Sequence, residues 1–151
     1  MGHITVDVNP TTTDSTPMDN LDISFVTVRS ISNKRFSIPI TVETQNTTEK
    51  LHALIDCGAE GLFIDESITN KWRKRKLRKP IRVNNVDGTP NTSGAIEEQC
   101  LIMFQINDKI MTEWFLVTTL GDHNFILGLP WLEKHNPNID WRNKTLAVTN
   151  S

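Results

Sequence analysis

The sequence predicts a mostly antiparallel β protein, either a barrel or a sandwich. Three observations predict it. Apolar and polar residues alternate along several short runs, the period of half-buried strands. Turn formers such as Asp87-Gly88 and Asn107-Asp108 separate those runs. Helical spacing is confined to two short segments, so there is no strand–helix alternation to build a parallel sheet.

Residues 1–20 are rich in Thr, Asp, Pro and Asn and read as a flexible lead; residues 21–28, LDISFVTV, read as a first strand. Phe36, Ile38, Ile40 and Val42 form the apolar side of a strand over residues 36–44. Pro39 assigns that strand to an edge or a bulge. Residues 50–55 and 62–64 are the next strands, around a turn at Asp56-Cys57-Gly58. Residues 65–74 read as a short helix, with Asp65 as N-cap and Glu66 in the first turn. Residues 81–86, 96–106, 110–118 and 125–128 are strand-like. Residues 130–135 form a helix with proline in its first turn. Residues 138–148 close the chain as a strand pair or one bent strand. Trp114, Trp131 and Trp141 are expected in the core. The domain division is 1–33 for the lead with its first strand and 34–151 for the folded domain.

With 151 residues the chain favours one domain, which buries roughly 70% of its unfolded surface. The net charge of −2 gives the whole molecule no bias toward nucleic acid or anionic membranes. No apolar run reaches the roughly 18 residues of a membrane span. The N-terminus lacks a signal-peptide pattern, and Cys57 and Cys100 read as reduced thiols, so the expected setting is cytoplasmic.

The stretch ALIDCGAEGLFI, residues 53–64, sets an acid at the end of an apolar run. A carboxylate there is costly unless paired or protonated. From spacing alone, Asp56 either caps the amides of its own turn or serves as a catalytic acid. Alone in an apolar setting, a carboxylate is a poor base. Two together share one proton, so that one acts as acid and the other as base. The chain supplies one acid of this kind. Asp87-Gly88 lies in a polar turn, and Asp122 and Asp140 lack the small residue and glycine that follow Asp56. A dyad therefore requires a second chain.

Leu54-Ile55-Asp56-Cys57-Gly58-Ala59 resembles the active-site turn of retropepsin-type aspartic proteases, apolar-apolar-Asp-Ser/Thr-Gly-Ala. About seventy residues on, Phe125-Ile126-Leu127-Gly128 resembles the second signature of that family, which precedes a short helix. Residues 127–146, LGLPWLEKHNPNIDWRNKTL, are similar to the protease segment of gypsy-class LTR retrotransposon polyproteins. The resemblance spans about residues 35–148. It implies a closed β barrel with one or two short helices, acting as a homodimer with Asp56 as the catalytic residue of each subunit. Cys57, Gly58 and Ala59 would complete the active-site turn. Residues 81–96 would form a flap over the substrate, with Val86, Asp87, Gly88 and Thr89 at its tip. Ile126, Leu127 and Gly128 would support the turn from below. The implied activity is endopeptidase cleavage of an extended polyprotein segment by an activated water, without metal or cofactor, in the cytoplasm or within retrotransposon particles. Two departures stand out. Cys57 replaces a Ser or Thr whose hydroxyl braces the two turns, and a thiol is the weaker donor and acceptor. Glu60 adds a carboxylate beside the turn. Both support an alternative, a catalytically silent dimerisation or peptide-binding domain of the same fold.

Other chemistries have less support. Cys57 as a nucleophile, with His52, His123 or His135 as base, has no surrounding signature. A metal site from Cys57, Cys100 and the histidines lacks ligand spacing. Residues 71–79, KWRKRKLRK, hold seven basic residues in nine. They read as a solvated helix end and loop, with nucleic-acid contact as the functional alternative.

Overall fold

The computed structural model describes residues 25–28, 36–85 and 90–148, together with Pro17. In chain order the strands are β1 (Phe25–Val28), β2 (Ser37–Glu43), β3 (Thr48–Asp56), β4 (Leu62–Asp65) and β5 (Lys74–Asn85). β6 (Pro90–Ile106), β7 (Lys109–Thr118), β8 (Phe125–Gly128), β9 (Asn138–Asp140) and β10 (Thr145–Ala147) follow. A 3₁₀ helix, Glu66–Lys71, separates β4 from β5. Helix α1, Leu129–His135, follows β8 directly and carries Pro130 in its first turn, as expected.

Six strands close into a barrel in the order β6-β2-β3-β8-β4-β7, and β7 pairs back onto β6 from Gln99↔Leu116 to Ile106↔Lys109. Closure removes the exposed edges that an open sheet would leave. β5 lies outside the ring on β6, and β1 pairs with β5 in parallel. Most pairings are antiparallel, but β3–β8 and β4–β7 are also parallel, and the first of them builds the site described below.

The period-two pattern explains the inner wall. Phe36, Ile38, Ile40 and Val42 are all buried. β6 meets β2 only at Thr41 and Val42, so Pro39, which has no N–H, lies on an edge stretch. Phe104, Phe115 and Phe125 fill the core with rings 5.6 and 5.2 Å apart in edge-on contact. Each such pair contributes about 0.5–1.5 kcal/mol beyond area burial.

The structure corrects two expectations. The helix expected over residues 65–74 ends at Lys71, and most of the basic run is strand β5 rather than a helix end and loop. Lys74, Arg75 and Lys76 pair with Cys100, Gln99 and Glu98, and Leu77 is buried. Tertiary pairing overrides a local sequence with little strand preference. Trp141 is 61% exposed, unlike the core residue expected. It opens the turn between β9 and β10 beside exposed Arg142, Asn143 and Lys144, and its ring rests 5.5 Å from Phe36. Trp131 is buried as expected, and Trp114 is half-buried.

Two buried acids fasten the short helices. Glu113 on β7 accepts from Lys134 Nζ at 3.0 Å and meets His135 Nε2 at 3.2 Å, which holds the end of α1 to the barrel. Asp65 caps the 3₁₀ helix through Ser67 N–H at 3.2 Å and also accepts from the Ser67 hydroxyl. Its other oxygen accepts from Leu120 N–H at 2.7 Å. Burial alone would raise the Asp65 pKa, but the donors from Ser67 and Leu120 together hold it below its ordinary 3.8. A lowered folded-state pKa contributes stability that is present above the unfolded value and is lost as pH falls through the folded one. Thermal melts should therefore show an Asp65-dependent loss of stability below about pH 4. Asp65→Asn should shrink that loss. Asp65→Ala should cost about 1 kcal/mol at neutral pH through the missing cap.

Candidate active site

β8 lies between β3 and β4, parallel to the first and antiparallel to the second. The register runs Ala53↔Phe125, Leu54↔Ile126, Ile55↔Leu127 and Asp56↔Gly128. Asp56 is thus the last residue of β3, directly opposite the last residue of β8. The chain then crosses the end of β8 to reach β4. Ala59 N–H donates to Asp56 O at 3.0 Å and Leu129 N–H donates to Ala59 O at 2.5 Å, so turn and support are joined through the backbone.

Gly58 N–H donates to Asp56 Oδ1 at 2.9 Å, so Asp56 does cap an amide of its own turn, and the same bond orients the carboxylate. Asp56 is half-buried, Cys57 is exposed and Ala59 is fully buried. Beneath the turn the contact is closer still. A Cβ on Gly128 would stand 2.2 Å from Ala59 O and 2.3 Å from Gly61 O. No side chain fits there, which explains why the apolar run of β8 ends in glycine. Leu54, Ile55, Leu62, Ile126 and Leu127, in the strands that flank the turn, are buried.

The structure thus brings together Asp56, Cys57, Gly58, Ala59, Ile126, Leu127 and Gly128. Val86, Asp87, Gly88 and Thr89 lie outside the described residues. The strands on either side of them, β5 and β6, form a hairpin whose last described pair is Asn84↔Pro90. Asn124 was not anticipated. Its Oδ1 accepts from His52 N–H at 3.2 Å and its carbonyl accepts from Asp65 N–H at 2.9 Å, tying β3 and β4 to the loop before β8. Its only sequence signal was an amide residue just before an apolar strand.

Other titratable groups are engaged elsewhere. Cys100 is buried, and burial, opposed by Lys74 and aided by Glu98, pushes its thiol up to about 11. His135 sits against Glu113 and beside the Trp131 ring. Among the described residues, no three His, Cys, Asp or Glu side chains gather to hold a metal ion.

A closed six-strand barrel, with an acid-bearing turn seated on the glycine of a parallel strand, defines a retropepsin-like fold. The family model of the PEG10/RTL1 protease domain matches residues 52–151, and the chain belongs to that family. Among solved structures, the chain is similar to the retroviral protease-like domain of Ddi1 from Leishmania major, at 14% identity and a TM-score of 0.47. That match covers 76% of this chain and 87% of the other. The chain is also similar to the EIAV protease complexed with the inhibitor HBY-793, at 19% identity and a TM-score of 0.47, covering 69% and 92%.

Proposed function

We propose that this protease domain is an active aspartic endopeptidase of the kind encoded in gypsy-class retrotransposon polyproteins, and that it works as a homodimer. The observation that carries this reading is a half-buried acid on a turn seated on a floor that only Gly128 can form, within the stretch that matches a protease-domain family. Two such turns facing each other across a twofold axis would set two Asp56 carboxylates to share one proton. The ionised member takes a proton from water as that water attacks the peptide carbonyl; the protonated member donates to the carbonyl oxygen. Collapse of the tetrahedral intermediate, with a proton delivered to the amide nitrogen, releases the two peptide ends. The substrate is an extended segment gripped beneath the hairpin of β5 and β6.

The alternative is a silent dimerisation or peptide-binding domain, favoured by the exposed Cys57 thiol where the related turn has a hydroxyl. One experiment separates the two. Cleavage of an unfolded protein is followed at pH 4–7, with and without pepstatin, beside sedimentation over a concentration series. Pepstatin-sensitive cleavage by a dimer supports the endopeptidase. A stable dimer without cleavage assigns the silent role, and a strict monomer even with inhibitor overturns the dyad.

Cys57→Thr is expected to strengthen the dimer. A hydroxyl is the better donor and acceptor, and a net hydrogen bond adds about 0.5–1.5 kcal/mol. Sedimentation should show a dimer dissociation constant lowered by roughly 2- to 10-fold, with activity at low protein concentration rising in step.

A further inference from the structure

We propose that β5, with the adjoining outer face of β6 and β7, binds single-stranded nucleic acid. Seven of the sixteen Lys and Arg residues fall in residues 71–79, which contain no acid; the rest of the chain carries all eighteen acids against nine bases. This segment is therefore strongly basic although the net charge of the molecule is small, and a local excess of one sign attracts a polyanion. Lys71 and Lys74 lie 3.4 and 3.8 Å from Glu49 and Glu98. The strip continues through Arg73, Arg75, Lys76, Arg78 and Lys79, all exposed.

The strand geometry lays these cations out in a line. β1 pairs only with Arg82–Asn85, so from Lys74 to Ile81 the single strand neighbour of β5 among the described residues is β6. Cations alternating along an extended strand project to both sides of that ribbon. The second element is aromatic and apolar. Leu101 pairs with Trp114 and Met103 with Thr112, on the face opposite buried Ile102, Phe104 and Phe115. Leu101 is 43% exposed and Met103 46%. The Arg75 guanidinium stands 5.7 Å over the Trp114 ring, joining the basic strip to that patch.

An acidic polypeptide shares the charge complementarity, and the polyglutamate arm of the test below distinguishes it. Nucleic acid uses the whole surface, with phosphates on Lys and Arg and bases against guanidinium, indole and thioether, and such stacking requires unpaired bases. Lysines on an edge strand also deter edge-to-edge pairing, a role that does not call for the adjoining aromatic and apolar patch.

The test is fluorescence anisotropy of the 151-residue chain with labelled RNA and DNA single strands of about 20 nucleotides, titrated between about 50 and 200 mM salt. Binding should weaken with salt at a slope of about −0.7 per contacted phosphate. The triple variant Arg73→Gln/Lys76→Gln/Lys79→Gln should flatten that slope by about 2 and lower low-salt affinity at least about tenfold. Met103→Ser should weaken binding without changing the slope. The proposal is independent of peptidase activity, so Asp56→Asn should bind as the parent does. It is overturned by salt-independent or absent binding, by equal affinity for polyglutamate or anionic vesicles, or by a triple variant that binds unchanged. A triple variant that binds unchanged but self-associates would assign the strip to edge protection.

Discussion

Asp56→Asn is expected to lower peptide-bond cleavage by about 10⁴-fold, the upper end of what positioned acid–base groups contribute. The amide keeps the shape of the carboxylate and can still accept from Gly58 N–H through its oxygen, the bond now made at 2.9 Å. It can neither take a proton from water nor share one with a partner. Fold and dimer should therefore survive while chemistry stops. A quenched-fluorescence peptide assay reads the first result and sedimentation the second. Cleavage unchanged in Asp56→Asn would remove the dyad mechanism altogether.

Gly128→Ala is expected to have the largest effect on stability, about 3 kcal/mol, the upper end for overpacking. The backbone of Gly128, with φ −92° and ψ −169°, is open to alanine, so conformational strain is not the cause. The cost lies in contact. The new methyl would stand 2.2 and 2.3 Å from two carbonyl oxygens, and both belong to backbone that cannot swing aside. Relief requires the turn to lift off β8, so activity should fall further than the loss of folded protein explains. Gly121→Ala makes the converse control. Its φ of +73° is strained for alanine, but nothing lies within 4 Å of the added Cβ. It should lose only about 1–2 kcal/mol, with whatever cleavage the parent shows unchanged per folded molecule. Urea unfolding midpoints and activity per folded molecule separate the two cases.

Local patterns in the sequence were legible where the physics is local. The row Phe36-Ile38-Ile40-Val42 is buried because period two and one-sided burial are the same fact. Asp65 caps its helix and Pro130 opens the other for reasons contained within four residues. Signals that depend on a distant partner were not legible. Lys74–Lys79 has no strand preference of its own and becomes strand through its pairing with β6. Trp141 reads as core by residue type, yet its place in a polar turn exposes it. Within the site, the acid, the glycines and the apolar frame could be read directly. The seat of Gly128 beneath the turn was legible only through the family resemblance; its approach to Ala59 and Gly61 arises from the parallel register of β3 and β8, which no short stretch encodes. Asn124 and Leu120 likewise gain their roles only when their loop is folded back against β3 and β4.

That register also sets an order of events in protein synthesis. Asp56 and the glycine facing it are 72 positions apart. At ribosomal speeds of about 5–20 residues per second, the acid emerges roughly 4–14 s before its seat exists. Pairings this distant in sequence form slowly even in a finished chain. A nascent polypeptide therefore exposes the acid-bearing turn before the strand that seats it has been made.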